Sequence, residues 1–155
     1  MTNSIRKEDH IMKETHFSIH INASKERVWS ILWNDETFQD WADIIDEGTY
    51  MKGVMKEGNE IEFLSSVNGY GVTSLIEKLR PHEYVLFRHR ADTKESGQQE
   101  RDQEWTGGRE SYSLTEENGG TLLVTKTDIP KEQEETFAIR LPKALERIKE
   151  LAEEE

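Results

Sequence analysis

The 155-residue chain carries a formal net charge of -12, with 34% of its residues charged and 34% hydrophobic. That balance excludes an electrostatic grip on nucleic acid or an anionic membrane surface, which needs clustered Lys and Arg. The absence of cysteine excludes a disulfide framework, a thiol nucleophile and a cysteine-based metal site. A mean hydropathy of -0.84 admits disorder as a rival. The apolar residues are patterned rather than scattered, however, and four Trp, four Tyr and five Phe supply large surfaces to bury. The length suits one domain with one core. With no long apolar run and no leader-like segment, the chain reads as cytoplasmic and monomeric, without membrane insertion.

Residues 1–13 are polar and aperiodic, and read as a flexible arm ahead of a single domain over 14–155. His16-Phe17-Ser18-Ile19-His20-Ile21 alternates, so Phe17, Ile19 and Ile21 face a core. His16 and His20 then share the opposite face, where a solvated strand surface explains them better than a metal site lacking a third ligand. Asn22 or Ser24 caps a helix bearing Val28, Ile31 and Leu32 on one side, with Trp29 and Trp33 partly off that stripe. Asn34 or Asp35 caps a second, with Phe38, Trp41, Ile44 and Ile45 at helical spacing.

After a turn-rich stretch around Gly48 to Gly58, Glu60 to Ser65 alternates as a strand. Asn68-Gly69 predicts a two-residue hairpin turn that sets Phe63 opposite Ser74 and Ile61 opposite Ile76. The facing of the returning strand is ambiguous, because Leu75 and Leu79 share a side with Glu77 while Val72 and Ile76 share one with Lys78. Tyr84 to Arg90 puts Val85, Phe87 and His89 on one face and Tyr84, Leu86, Arg88 and Arg90 on the other. Ala91 to Gly108 reads as a long polar loop whose aromatic is Trp105. Asn118-Gly119-Gly120 joins a last hairpin with two open registers. In one, Leu114 opposes Leu123 and Tyr112 opposes Thr125; in the other, slightly favoured by the pattern, the partners are Leu122 and Val124.

Lys131 to Glu155 reads as one amphipathic helix with Phe137, Leu141, Leu145, Ile148, Leu151 and Ala152 on a stripe. Pro142 predicts a kink, or a helix start just before it, since an internal proline costs about 3 kcal/mol. No nucleophile elbow, phosphate-binding glycine loop or zinc helix appears. His89, Glu77, Glu104 and Arg109 are the groups that could converge for acid–base work. Arg88, Arg90 and Arg109 could hold a carboxylate, although cross-strand pairing with acids is the simpler reading.

The chain resembles the SRPBCC (START/birch-pollen-allergen-like) superfamily, and within it the bacterial relatives of the heat-shock chaperone ATPase activator. The resemblance covers about His16 to Ala152. It rests on Ile19-x-Ile21-Asn22-Ala23-Ser24-Lys25-Glu26-Arg27-Val28-Trp29, on Trp41, and on Glu77 before Pro81. It rests also on Gly119-Gly120-Thr121-x-Leu123 and Leu141-Pro142-x-Ala144-Leu145-Glu146-x-Ile148-Lys149. Two features depart from the pattern. The glycine pair before the third strand is reduced to Gly58, and Arg88 or His89 stands where a tryptophan often ends the fifth strand.

The resemblance implies an α+β helix-grip fold: a curved antiparallel sheet of about six or seven strands around a long C-terminal helix, with two short helices after the first strand. It favours the first register of the last hairpin. It implies a cavity between sheet and helix for an apolar or amphipathic small molecule, walled by Trp41, Phe63, Leu75, Phe87, Tyr112, Phe137 and Leu141, with Trp105 as a lid. No cofactor, metal or catalytic residue is implied. The alternatives are a protein-interaction module that binds a chaperone or other partner and, after it, a cyclase- or hydrolase-type enzyme in the same cavity.

Overall fold

The structure, a computed structural model, describes residues 12–96 and 104–154. Its order is β1 (Met12–Ile21), α1 (Lys25–Trp33), α2 (Asp35–Ile45), β2 (Thr49–Lys52), β3 (Glu60–Ser65), β4 (Tyr70–Arg80), β5 (Tyr84–Lys94), β6 (Arg109–Glu117), β7 (Gly120–Pro130), a 3-10 turn (Lys131–Gln133) and α3 (Glu134–Glu153). The strands form one sheet of order β1-β7-β6-β5-β4-β3-β2, antiparallel throughout. This sheet curls as a half-barrel, and the long C-terminal helix completes the α+β helix grip.

The core lies where the inward faces meet. Ile21, Val28, Leu32, Ile76, Phe87 and Leu123 are fully buried there, together with Ile148 of α3. The α1 stripe of Val28, Ile31 and Leu32 is buried as its spacing predicts. Ser24 is the cap, its Oγ accepting from Arg27 N at 3.1 Å. Between α1 and α2, the Thr37 hydroxyl donates to the carbonyls of Asn34 and Ser30, which fixes the corner without glycine or proline.

Several expectations are corrected. Met12 and Lys13 belong to β1, because β7 runs to Pro130 and gives them Pro130 and Ile129 as partners. Residues 1–11 of the expected arm lie outside the described residues. Ala91–Lys94 extend β5 instead of opening a loop, since β4 reaches back to Tyr70 and supplies the ladder. Lys131–Gln133 is a 3-10 turn, so the final helix starts at Glu134. That helix runs unbroken through Pro142. The bond lost at Pro142 would have gone to the carbonyl of Ala138, an exposed residue whose oxygen water can satisfy.

The β3–β4 turn also differs. Phe63 pairs with Val72 and Ile61 with Ser74, across a longer turn than Asn68-Gly69 alone. The cause is Ser65, whose Oγ accepts from Val67 N and Asn68 N while its carbonyl accepts from Gly69 N. The slip is an even number of residues, so every side chain keeps its face. Farther along, Ile76 pairs with Phe87 and Lys78 with Leu86, leaving Glu77 as the extra residue of a bulge. That bulge lets Ile76 and Leu79 both pack on the core, an arrangement strict alternation forbids.

In the last hairpin Leu114 pairs with Leu123 and Tyr112 with Thr125, the register the family resemblance favours. Glu117 pairs with Gly120, so Asn118 and Gly119 alone make the turn, with φ of 48° and 81°. A Cβ on Gly120 would stand 2.4 Å from the carbonyl oxygen of Ile21, so this glycine lets β1 close on β7.

Candidate functional site

A pocket of about 390 Å³ opens between the inner face of the sheet, α2 and the first turns of α3. Strand alternation delivers Phe63, Phe87 and Tyr112 from β3, β5 and β6, while helical spacing delivers Phe38 and Trp41 from α2 and Phe137 and Leu141 from α3. Trp33, the last residue of α1, also lines it. Its ring lies 4.9 Å from Tyr112 and 5.5 Å from Phe87, edge to face. Phe63 meets Phe87 at 5.2 Å and Phe38 at 5.8 Å, which extends the aromatic wall.

Six of the seven predicted wall residues line this pocket, Trp41, Phe63, Phe87, Tyr112, Phe137 and Leu141, and so does Trp105, the expected lid. Leu75 does not. It pairs with Glu60 and Arg88 on the other face of the sheet, because the inward positions around it are Ser74 and Ile76. Trp33 was not among the predicted wall residues because it falls off the α1 stripe; a tryptophan at the end of an amphipathic helix was the available signal.

Trp105 is held at the pocket by its backbone. The buried Asp92 accepts from Trp105 N at 2.9 Å, Thr106 N at 3.0 Å and Thr106 Oγ1 at 2.9 Å, all through Oδ1. The indole then packs 5.2 Å from Phe137 and edge-on to His89 at 6.4 Å.

The polar lining has a definite order. His89 is only 3% exposed, and its Nδ1 lies 2.7 Å from Ser74 Oγ. Its Nε2 lies 3.7 Å from Glu110 Oε1, beyond hydrogen-bond reach. The other oxygen of Glu110 accepts the Tyr112 hydroxyl at 2.5 Å. Burial lowers the His89 pKa, opposed by the carboxylates of Glu110, Asp92 and Asp128. Burial first, then the adjacent Glu110, holds the Tyr112 phenol well above its ordinary value. Glu104 also lines the pocket and accepts from Gln133 Nε2 at 3.1 Å.

Of the groups weighed for acid–base work, His89 and Glu104 reach the pocket, whereas Glu77 and Arg109 do not. Glu77 binds Arg88 and Arg109 across the outer face at 3.5 Å each, since Arg88 alternates outward from Phe87. Glu110, adjacent to Arg109 in sequence, is the acid that faces His89. Among the described residues, no group of three or more metal-binding side chains is placed to hold an ion. No helix there is long and apolar enough to cross a membrane.

A curled antiparallel sheet gripping one long C-terminal helix is the helix-grip architecture of the SRPBCC superfamily. The profile of the family described as "Activator of Hsp90 ATPase homolog 1-like protein" matches residues 22–153, and the chain belongs to that family. The solution structure of the Aha1 dimer from Colwellia psychrerythraea is similar, with TM-score 0.68 and 21% identity over 92% of this chain and 98% of that one. Protein MLL2253 from Mesorhizobium loti matches with TM-score 0.69 and 12% identity over 90% and 96% of the two chains. CalU16 from Micromonospora echinospora matches with TM-score 0.61 and 17% identity over 92% and 78%. At these identities the likeness shows the fold alone. No curated protein sequence matches.

Proposed function

We propose that the protein binds a small apolar or amphipathic molecule in the pocket between its sheet and α3. The observation that carries this reading is the pocket itself. At about 390 Å³ it falls within the size range of small-molecule sites, and its wall combines aromatic rings with polar or charged side chains in similar number, which suits an amphipathic molecule. The ligand's apolar body would lie against Trp33, Phe63 and Phe87, with Trp105 and Phe137 covering it.

A protein-docking role, which the family description and the Aha1 relative suggest, would draw on exposed apolar surface. Among the described residues the exposed large apolar side chains are Val54, Val67 and Ile139, and each belongs to a different segment. The interior site is therefore the better-supported reading. Of the four acid–base candidates, Glu77 and Arg109 pair with each other on the outer face, while His89 and Glu104 reach the pocket.

The test uses N-phenylnaphthylamine, an uncharged dye whose emission rises in apolar surroundings. The dye should brighten with the protein and should stay dark with Val72→Trp, which fills the pocket from β4 while the fold's circular dichroism is kept. A dye that stays dark with the unmodified protein, or brightens equally with Val72→Trp, overturns the reading.

A further inference from the structure

The packing of α3 is uneven along its length. Its buried residues are Leu141, Ala144, Leu145, Ile148, Leu151 and Ala152. In the turns ahead of them, 134–140, every residue is exposed or half-buried. Those turns have hollow space on two sides. The aromatic pocket lies against Thr136, Phe137 and Arg140, and a second hollow of about 280 Å³ lies between Glu134, Ala138 and residues 13–16 of β1. Gln133 stands at the N-cap, yet its side chain donates to Glu104 Oε2 at 3.1 Å instead of capping the helix. Contacts at the pocket rim hold the segment: this bond, Phe137 against Trp105 at 5.2 Å, and Arg140 Nη1 donating to the Ile45 carbonyl at 2.9 Å.

Pro142 stands where the packing changes. It carries no amide hydrogen, so no bond runs from it back to the Ala138 carbonyl. Inside a helix that is a loss. At the first position of a helix it costs nothing, because the first amides have no intrahelical acceptor and the fixed φ already suits the position. Residues 142–153 therefore form a complete helix without the turns ahead of them, anchored by the buried stripe and by Arg147 on Asp40. The turns 134–140, once parted from it, are far below the length of about 12 to 15 residues at which an isolated helix becomes stable in water. Any other residue at 142 would add one backbone bond for the parting to break.

Resting on the binding role just described, we propose that residues 131–140 form a hinged flap over the pocket, pivoting at Leu141 and Pro142, and that its opening admits and releases the ligand. The rim contacts break and re-form as the flap moves, while the anchored part of α3 stays on the sheet.

Two measurements on the whole protein test this. In hydrogen exchange without ligand, the amides of 138–140 should exchange about tenfold or more faster than those of 145–151, and Pro142→Ala should narrow that gap. In stopped-flow mixing with N-phenylnaphthylamine, Pro142→Ala should slow association and release together by about threefold or more, leaving Kd nearly unchanged. Equal protection along the helix, or protection at 138–140 that Pro142→Ala does not raise, would overturn the hinge. Slower exchange with unaltered dye rates would overturn the entry route. A dye that does not bind removes the binding role and the entry route with it, and the exchange data still decide the hinge.

Discussion

Three carbonyls at the C-terminal end of α3 converge on one guanidinium, that of Arg27. Its Nε donates to Ala152 O at 3.2 Å, and its terminal nitrogen donates to Leu151 O at 3.1 Å and Glu154 O at 3.3 Å. A helix end leaves its last carbonyls without intrahelical partners and carries partial negative charge, so a cation there is stabilising. Arg27→Ala should lower the unfolding free energy by about 1 to 2 kcal/mol in urea titration, with Arg27→Lys recovering only part. An unchanged midpoint would mean that water replaces the guanidinium at no cost. His89 makes the matching case for pH. Its folded pKa is depressed, so below its ordinary value of about 6.5 the unfolded chain binds the extra proton. The stability it contributes is complete above that pH and is lost as the pH falls from there toward the folded value. The urea midpoint should therefore decline between about pH 7 and pH 5, with a smaller slope in His89→Gln. Equal slopes would show that other groups carry the decline.

The elements differ in how their sequences announce them. In β5, Val85, Phe87 and His89 alternate inward as the pattern requires, and the stripe from Leu141 to Leu151 is buried along α3. Such periodic signals survive because hydrophobic burial rewards one face only. The facing of β4 was illegible because a bulge at Glu77 shifts the alternation, and a bulge depends on the partner strand. The β3–β4 register was misread because the Ser65 hydroxyl organises a turn that competes with Asn-Gly; only the even slip kept Phe63 in the pocket. Six wall residues were legible as large groups on inward faces and Trp105 as the aromatic of a polar loop, while Glu110 and Trp33 acquire their roles from tertiary neighbours. Two predictions belong to this scale. Asp92→Ala strips the acceptor from the segment carrying Trp105 and should cost about 2 to 3 kcal/mol. It should also move the Trp105 indole signal toward its position in unfolded chain; an unmoved signal would mean that Phe137 packing alone holds the ring. Pro142→Ala restores a donor inside α3 and should stabilise by about 1 to 2 kcal/mol, less than the full proline penalty because Ala138, whose carbonyl loses the bond, is open to solvent. A loss of stability would show that the proline serves the packing of α3.

At the scale of the molecule, the sheet and α3 are fastened at their far end and parted at the near one. Arg27, Lys149 and Asn22 tie the end of α3 to the start of the domain, through carbonyls and the Glu153 carboxylate. Arg147 clamps α3 to α2 through both oxygens of Asp40, at 2.8 and 2.9 Å, which holds the Asp40 carboxyl below its ordinary range. Toward Phe137 the bond from Arg140 to the Ile45 carbonyl still ties α3 to α2, but rings with space between them face the sheet, and there the pocket opens. The stiff end fixes the angle of the helix, and the angle sets the room left beneath its first turns. The most direct measurement is amide and indole NMR of the whole chain during titration with ethylnaphthalene. The account predicts saturable shifts concentrated at Trp33, Phe63, Phe87, Tyr112 and Phe137, with Leu75 and Arg88 on the outer face unmoved. Shifts confined to the outer face, or no shift at saturating probe, would contradict it.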